Sequence, residues 1–463
     1  MIFCAKLEIC KQDTYKIQYM VFVRCCPNYP EKLGAGFPAD MIEKGKSRMK
    51  PVISTLKDIY PDAQCELQNA RYRKAKAAFT EHFGANGGVR FFSAPGRTEI
   101  CGNHTDHNNG KVFAASVDLD VIAAAERTDD NCITIKSEGF PEDKIDLSSL
   151  DIRADEKNTS AALIRGVAAG FVKNGFTIGG FRAYTTSNVM KGSGLSSSAA
   201  FEVLVGTMLS HIYNGGQIGA VKIAQIAQYA ENAYFGKPSG LMDQMASSVG
   251  GFVAIDFKDT DSPIIESVPC DFDKYAHALC IVDAKGDHAD LTDEYASIPA
   301  EMKAVAGFFD CECLRQLSLP DIMLNINDLR AKFGDRAVLR AIHFFHENER
   351  VDKLVHALKG GNFEDFLSSV KESGDSSFKY LQNIYANSDV THQCLSIALN
   401  AAESSLHRKG ACRVHGGGFA GTIQAFVPTE DLKQFKMNME RIFGAGACHV
   451  LTVRPIGGTE VKL

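Results

Sequence analysis

Residues 93–110 read SAPGRTEICGNHTDHNNG. Arg97, Glu99, His104, Asp106 and His107 stand close together among turn-forming Gly, Pro and Asn residues. So much charge argues against a buried strand, and so much punctuation argues against a helix. The stretch is therefore expected to be a polar loop rich in hydrogen-bonding groups. Residues 88–95, with the apolar run VRFFSAP, are expected to form the strand that delivers it.

Outward from this loop, the pattern gives a set of elements. Upstream, LQNARYRKAKAAFTEHFG reads as an amphipathic helix stopped by Gly84. Downstream, KVFAASVDLDVIAAAERT and NCITIKSEG alternate as strands, and LIRGVAAGFVKNG is a helix with a glycine stop. GFRAYTTSNV is a strand that leads into KGSGLSSSAAFEVLVGTMLS, residues 191–210, a glycine-rich turn that opens a helix. IAQIAQYAENAYFG is a further helix, and GFVAIDF a strand. Near residue 280 a second region begins with the strand ALCIVDA. Helices then dominate to about residue 408. The chain closes with RVHGGGFAGTIQAFV as strand–loop–strand, DLKQFKMNMERIF as a helix and CHVLTVRPI as a strand. Strands and helices mix without regular βα alternation, which predicts an α+β protein with two packed domains, 49–279 and 280–463.

Composition narrows the function. The chain has 463 residues, 45% hydrophobic and 23% charged, which is enough to bury a large core. The net charge is −6 and no basic stripe occurs, so nucleic acid is not expected as a partner. No long apolar run predicts a membrane span. The 14 cysteines are scattered with no CxxC pair, which fits the reduced thiols of a cytoplasmic enzyme better than a disulfide scaffold or zinc ribbon.

Residues 1–48 stand apart. They show no sustained period, and Lys6, Glu8, Lys11 and Asp13 interrupt any signal-peptide core. Well-patterned sequence begins at Met49. The expectation is that Met49 is the natural start and the segment before it is translated upstream sequence; a disordered extension is the alternative. The tripeptide Gly45-Lys46-Ser47 is no P-loop, because Asp40 stands where that motif needs glycine.

Three motifs carry chemistry. In the first, Gly192, Gly194, Ser196, Ser197 and Ser198 place small residues and N–H groups at a helix N-terminus, which suits a phosphate; a serine cap after a glycine turn fits the same residues. In the second, ENAYFGKPSGLMDQM at 231–245, Glu231 and Asp243 flank a turn, as a metal ligand and a base would; Asp243 also fits a helix cap. In the third, Gly416, Gly417 and Gly418 lie between strands, where backbone must pass close to something or a plain hairpin turns.

Taken together and in this order, APGR with the HTD loop, GLSSSAA and GGGFAG resemble the three motifs of the GHMP small-molecule kinases. SAPGRTEICGNHTDHNNG is similar to the signature of the galactokinase family within them. The resemblance covers the chain from about residue 60 onward. It implies a two-domain fold: an N-terminal domain with a left-handed βαβ crossover and a ferredoxin-like C-terminal domain. It implies transfer of the ATP γ-phosphoryl group to the anomeric hydroxyl of a sugar by a monomer that uses Mg²⁺. Residue by residue, it implies Asp243 as general base and Arg97 as its electrostatic partner. Ser198 and Glu231 would hold Mg²⁺, and Gly192, Gly194, Ser196, Ser197 and Ser198 would line the phosphates. Asn103, His104, Asp106, Gly240 and Tyr295 would bind the sugar, with Gly416 to Gly418 supporting the site. The expected partners are thus a small sugar and ATP.

Asn103 departs from the family's usual Glu, which bonds the sugar's 6-hydroxyl. This makes galacturonate, N-acetylgalactosamine or arabinose rival substrates to galactose. A non-catalytic galactose sensor is a rival of another class; it is disfavoured because GLSSSAA, Arg97 and Asp243 are all present.

Overall fold

The first sheet takes most of its strands from the N-terminal half: β1 (Ile53–Thr55), β2 (Arg90–Cys101), β3 (Lys111–Arg127), β4 (Cys132–Ser137), β5 (Glu142–Asp146), β6 (Phe181–Ser187), β7 (Phe252–Asp256) and β8 (Ile264–Ser267). A second sheet follows, of β9 (His277–Asp283), β10 (Ala411–His415), β11 (Thr422–Pro428) and β12 (Cys448–Leu451). The chain's last strand, β13 (Thr459–Lys462), returns to the first sheet between β1 and β2. This computed structural model describes residues 53–84, 87–190, 194–237, 239–270, 272–286, 291–419 and 421–463. The expectations for residues 1–48 and for Gly192 lie outside the described residues.

β3 is the spine of the first sheet. Its second half pairs with β6 and its first half with β7, while β2 runs antiparallel along both. Successive side chains of a strand point to opposite faces, and here both faces are covered. Ile122 and Ala124 pack on Tyr72 and Phe79 of α1 (Cys65–Phe83). Val121 and Ala123 join the core on the other side with Ile164 and Val167 of α2 (Ser160–Lys173) and Val203 and Leu204 of α3 (Ser197–Tyr213). Burial on both sides explains why this strand reads as an almost continuous apolar run. α1 ends at Gly84, whose φ of +83° suits glycine, as the sequence predicts. β4 and β6 run parallel, with α2 between them in the chain.

The second sheet is antiparallel throughout, in the order β10-β11-β9-β12. Helices including α6 (Thr292–Gly307), α7 (Asp335–Lys359), α8 (Phe363–Ser376) and α9 (Cys394–Leu406) separate β9 from β10, and α10 (Leu432–Phe443) separates β11 from β12. This is the βαββαβ order of a ferredoxin-like fold. Between α3 and β7 lie α4 (Ala220–Tyr229), which widens into a π turn at Ala230–Phe235, and α5 (Met242–Val249). Among the described residues, no helix is long and apolar enough to cross a membrane.

One expectation is corrected. The strand expected to stop at residue 95 does not: β2 continues through 96–101 to Cys101, and those residues are buried, not loop. The register slips between Pro95 and Arg97 and again between Glu99 and Cys101, so the strand bends without ending. Its charges are tolerated because each meets a partner: Arg97 reaches Asp243, and Glu99 reaches Arg413.

Candidate active site

The bend in β2 brings its backbone against the turn before α3. The Arg97 N–H donates to Leu195 O at 3.0 Å, and the guanidinium Nη1 donates to Gly194 O. A Cβ on Gly96 would lie 2.8 Å from Leu195 O, so the close approach needs glycine there. On the other side of Arg97, Nε and Nη2 lie 2.8 and 2.6 Å from Asp243 Oδ1. Ser196 Oγ donates to Asp243 Oδ2 at 2.6 Å. Burial pushes the Asp243 pKa up. Arg97, the Ser196 hydroxyl and Lys237 outweigh that effect and hold it below the ordinary value.

Ser196 resolves one alternative left by the sequence. It precedes α3 with a left-handed backbone (φ +56°), yet its side chain caps no N–H of that helix. Its hydroxyl serves Asp243 instead. The serine run is therefore not a simple side-chain cap, and Ser196 offers its hydroxyl to the acid rather than outward. Ser197 and Ser198 begin the helix itself.

Glu231 lies in the π turn after α4 and is 2% exposed. Its Oε1 accepts from Ser198 Oγ at 3.1 Å and Lys237 Nζ at 3.0 Å. Its Oε2 accepts from Ser239 Oγ at 2.6 Å and Gln244 Nε2 at 2.7 Å. The wider π turn aims Glu231 back at α3. Lys237 and Gln244 were not singled out from the sequence. The available signals were a lysine inside a Gly-Lys-Pro turn and an amide beside the candidate base.

The HTD segment sits between this cluster and the glycine loop of the second sheet. The Asp106 carboxylate lies against Gly240. His104, at φ +59°, lies 3.0 Å from Gly417 O through Nε2. Since a carbonyl only accepts, that nitrogen carries the proton. Burial drives the His104 pKa down to about 3, so the ring is neutral. Tyr295 Oη donates to Gly418 O at 2.7 Å, and a Cβ on Gly417 would fall 2.2 Å from the Tyr295 ring. Gly416 and Gly418 both have positive φ. The three glycines thus let the loop pass close to Tyr295 and Asn383, as expected for backbone under close approach.

Asn103 is the exception, and here the expectation of a sugar-facing amide is corrected. It is 1% exposed. Its Nδ2 donates to Glu99 Oε1 and Gly416 O at 2.9 and 2.8 Å. Its Oδ1 accepts from Asn383 and Ser377 at 2.8 and 3.3 Å. Both amide hydrogens and the oxygen are used inside the protein, tying β2 to the glycine loop. Glu99, beneath it, pairs with buried Arg413 at 3.2 Å.

Two family models match the chain. One, described as the galactokinase galactose-binding signature, covers residues 77–127. The other, the GHMP kinases N terminal domain, covers residues 162–251. A galactokinase of Lacticaseibacillus paracasei is 30% identical over 371 residues, which are 79% of this chain and 92% of that protein. The chain belongs to the galactokinase family. A galactokinase of Clostridium tetani is 28% identical over 81% of this chain and 94% of its own length.

Solved structures agree on the fold. The structure of Lactococcus lactis galactokinase complexed with galactose superposes with a TM-score of 0.72 at 24% identity, covering 86% of this chain and all of that one. Methanococcus jannaschii mevalonate kinase gives 0.57 at 16% identity, with 80% of this chain covered and 99% of that one. The chain has the two-domain α+β fold of the GHMP kinases and, as a galactokinase family member, is a kinase that uses ATP.

Proposed function

We propose that this kinase phosphorylates the anomeric hydroxyl of D-galactose, with Asp243 as the general base. One observation carries the reading: Asp243 is held as a carboxylate between Arg97 of β2 and Ser196 of the turn before α3. A carboxylate has about four acceptor positions. Two on Oδ1 face Arg97, and one on Oδ2 takes the Ser196 hydroxyl. The position left over is on Oδ2, which receives the sugar's proton as the oxygen attacks phosphorus. Arg97 keeps the base ionised and offsets charge developing beside it.

The start of α3, with Gly194, Ser197 and Ser198, binds the nucleotide's phosphates, because N–H groups in the first turn of a helix lack intrahelical partners. Ser198 and Glu231 form an all-oxygen pair, the chemistry Mg²⁺ favours, and Glu231 Oε1 already attracts a cation in Lys237. When bound, the ion would offset charge on the phosphates. Asp106, with Gly240 behind it, accepts from sugar hydroxyls. His104 has its proton on Nε2 and so presents Nδ1 as an acceptor. Tyr295 accepts through the hydroxyl whose proton goes to Gly418.

Asp243→Asn tests the assignment: turnover should vanish while calorimetry still detects sugar and ATP binding. Turnover near wild type would refute Asp243 as base. A second reading, the same reaction on another galacto-configured sugar, draws on the committed amide of Asn103, which gives the sugar's C6 end no side-chain partner. Initial rates with galactose, galacturonate, N-acetylgalactosamine and arabinose separate the two.

A further inference from the structure

Lys237 touches neither substrate in the reaction as described; beyond helping to keep Asp243 ionised, its ammonium sits on Glu231. The residue follows Gly236, which closes the π turn with φ +89°, and its backbone N–H donates to Glu231 O at 3.2 Å. The side chain folds back over the same residue, and Nζ reaches Glu231 Oε1 at 3.0 Å. That oxygen also accepts the Ser198 hydroxyl. Lys237 therefore stands on the oxygen that, with Ser198, is the natural place for a divalent cation.

The two partners differ in constraint. Glu231 is buried and held by Ser198, Ser239 and Gln244, whereas the Lys237 side chain is 56% exposed and enters from solvent. A buried carboxylate without a counter-charge is unfavourable. A cation on Glu231 is thus needed even when no nucleotide is present.

We propose that Lys237 is the tethered counter-ion of the nucleotide-free site: it occupies Glu231 Oε1 until a metal–nucleotide complex enters, then passes to the phosphates. This rests on the reading of Glu231 and Ser198 as the metal-holding pair. A magnesium ion binds oxygen at about 2.0–2.1 Å, too close to an ammonium on the same oxygen for the two charges to coexist comfortably. The four-carbon stem of lysine is flexible, so the displaced ammonium can swing away. A metal-bound triphosphate remains negatively charged and gives it a new partner. Lys237 therefore opposes a free metal ion but favours one that arrives with nucleotide.

The experiment measures Mn²⁺ binding by electron paramagnetic resonance, with and without a non-hydrolysable ATP analogue. The proteins compared are wild type, Lys237→Met, Lys237→Arg and the double variant Lys237→Met/Glu231→Gln. The Lys237 side chain is mostly exposed, and melting curves verify that each variant is folded. Lys237→Met should bind free Mn²⁺ more tightly and the Mn²⁺–analogue complex less tightly, each by roughly tenfold, the scale of one charge-assisted contact. Lys237→Arg, which keeps the charge, should stay close to wild type in both. Unchanged affinities, or shifts of the same sign, would overturn the proposal for Lys237 and leave the metal-holding pair standing. Tight free Mn²⁺ binding that survives in the double variant would instead overturn Glu231 as the ligand.

Discussion

The carboxylate of Asp106 lies so close to Gly240 that a Cβ there would fall 1.7 Å from Asp106 Oδ2. The obstructing atom is the far end of a side chain, so Gly240→Ala is expected to fold and to push Asp106 aside. The cost then falls on the sugar. Because a small misplacement of a positioned group is expensive, KM for the sugar should rise by about tenfold or more. KM for ATP should move less, since the displaced Asp106 carboxylate is assigned to the sugar and not to the phosphates. Steady-state kinetics with each substrate varied in turn provides the measurement. A parallel rise in both constants would count against a sugar-side role for this pair.

The Arg97–Asp243 pair predicts a pH effect of definite sign. Burial alone would raise the Asp243 pKa, but Arg97, the Ser196 hydroxyl and Lys237 hold it down. The acid limb of kcat/KM should therefore lie below about pH 3.9, the ordinary Asp value. Arg97→Gln leaves burial less opposed, so the limb should move to higher pH while kcat falls by roughly a hundredfold or more. Stability follows the same linkage. A lowered carboxyl pKa contributes stability above the unfolded value, and this is lost as pH falls through the folded one. The Tm gap between wild type and Arg97→Gln should accordingly shrink in acid.

The site was legible in the sequence where chemistry is local and hidden where it is long-range. The Gly-Ser turn before α3 and the Glu231–Asp243 spacing are short patterns, and the structure brings Ser198 to Glu231 and Ser196 to Asp243. The strand character of residues 96–101 was missed because the counter-charge of Glu99 is not local; Arg413 is 314 residues away. The role of Asn103 was missed for the same reason, since Ser377, Asn383 and Gly416 are distant in the chain. The closing strand β13 carries too few residues for a period to emerge. Lys237 gave no signal of its own, because a charge in a loop is normally solvated.

The buried amide of Asn103 yields a stability prediction. Asn103→Glu would restore the residue usual in the family, yet here it would place a carboxylate beside the Glu99 carboxyl and remove the donor that now serves Glu99 and Gly416. Burial already pushes the Glu99 pKa up against the pull of Arg413 and Arg97, so a second acid would compete for the same two cations. An unpaired buried charge costs about 3–5 kcal/mol, so a large fall in Tm is expected, with no gain in galactose affinity. A variant as stable as wild type that also binds galactose more tightly would show that the amide can turn to the sugar.

Glu202 gives the last prediction. It lies on α3 behind Glu231 and is fully buried, with Gln244 Nε2 donating to its Oε2 at 3.1 Å. The other oxygens of the same pair, Glu202 Oε1 and Gln244 Oε1, find no hydrogen-bond partner among the described residues. Two acceptors cannot satisfy each other, but a proton on Glu202 turns one into a donor. Burial and then the nearby Glu231 push the Glu202 pKa well above its ordinary value, in the same direction. An acid with a raised folded pKa binds more protons folded than unfolded, so it removes stability as pH rises from about 4.3 towards that folded value. Glu202→Gln keeps a donor and an acceptor in place of the neutral acid and carries no proton to lose. Its Tm should match or exceed wild type near pH 5, and its advantage should widen as pH rises towards 8. Thermal melts across that range test this: an advantage that stays constant or narrows with pH would mean that Glu202 is ionised in the folded protein.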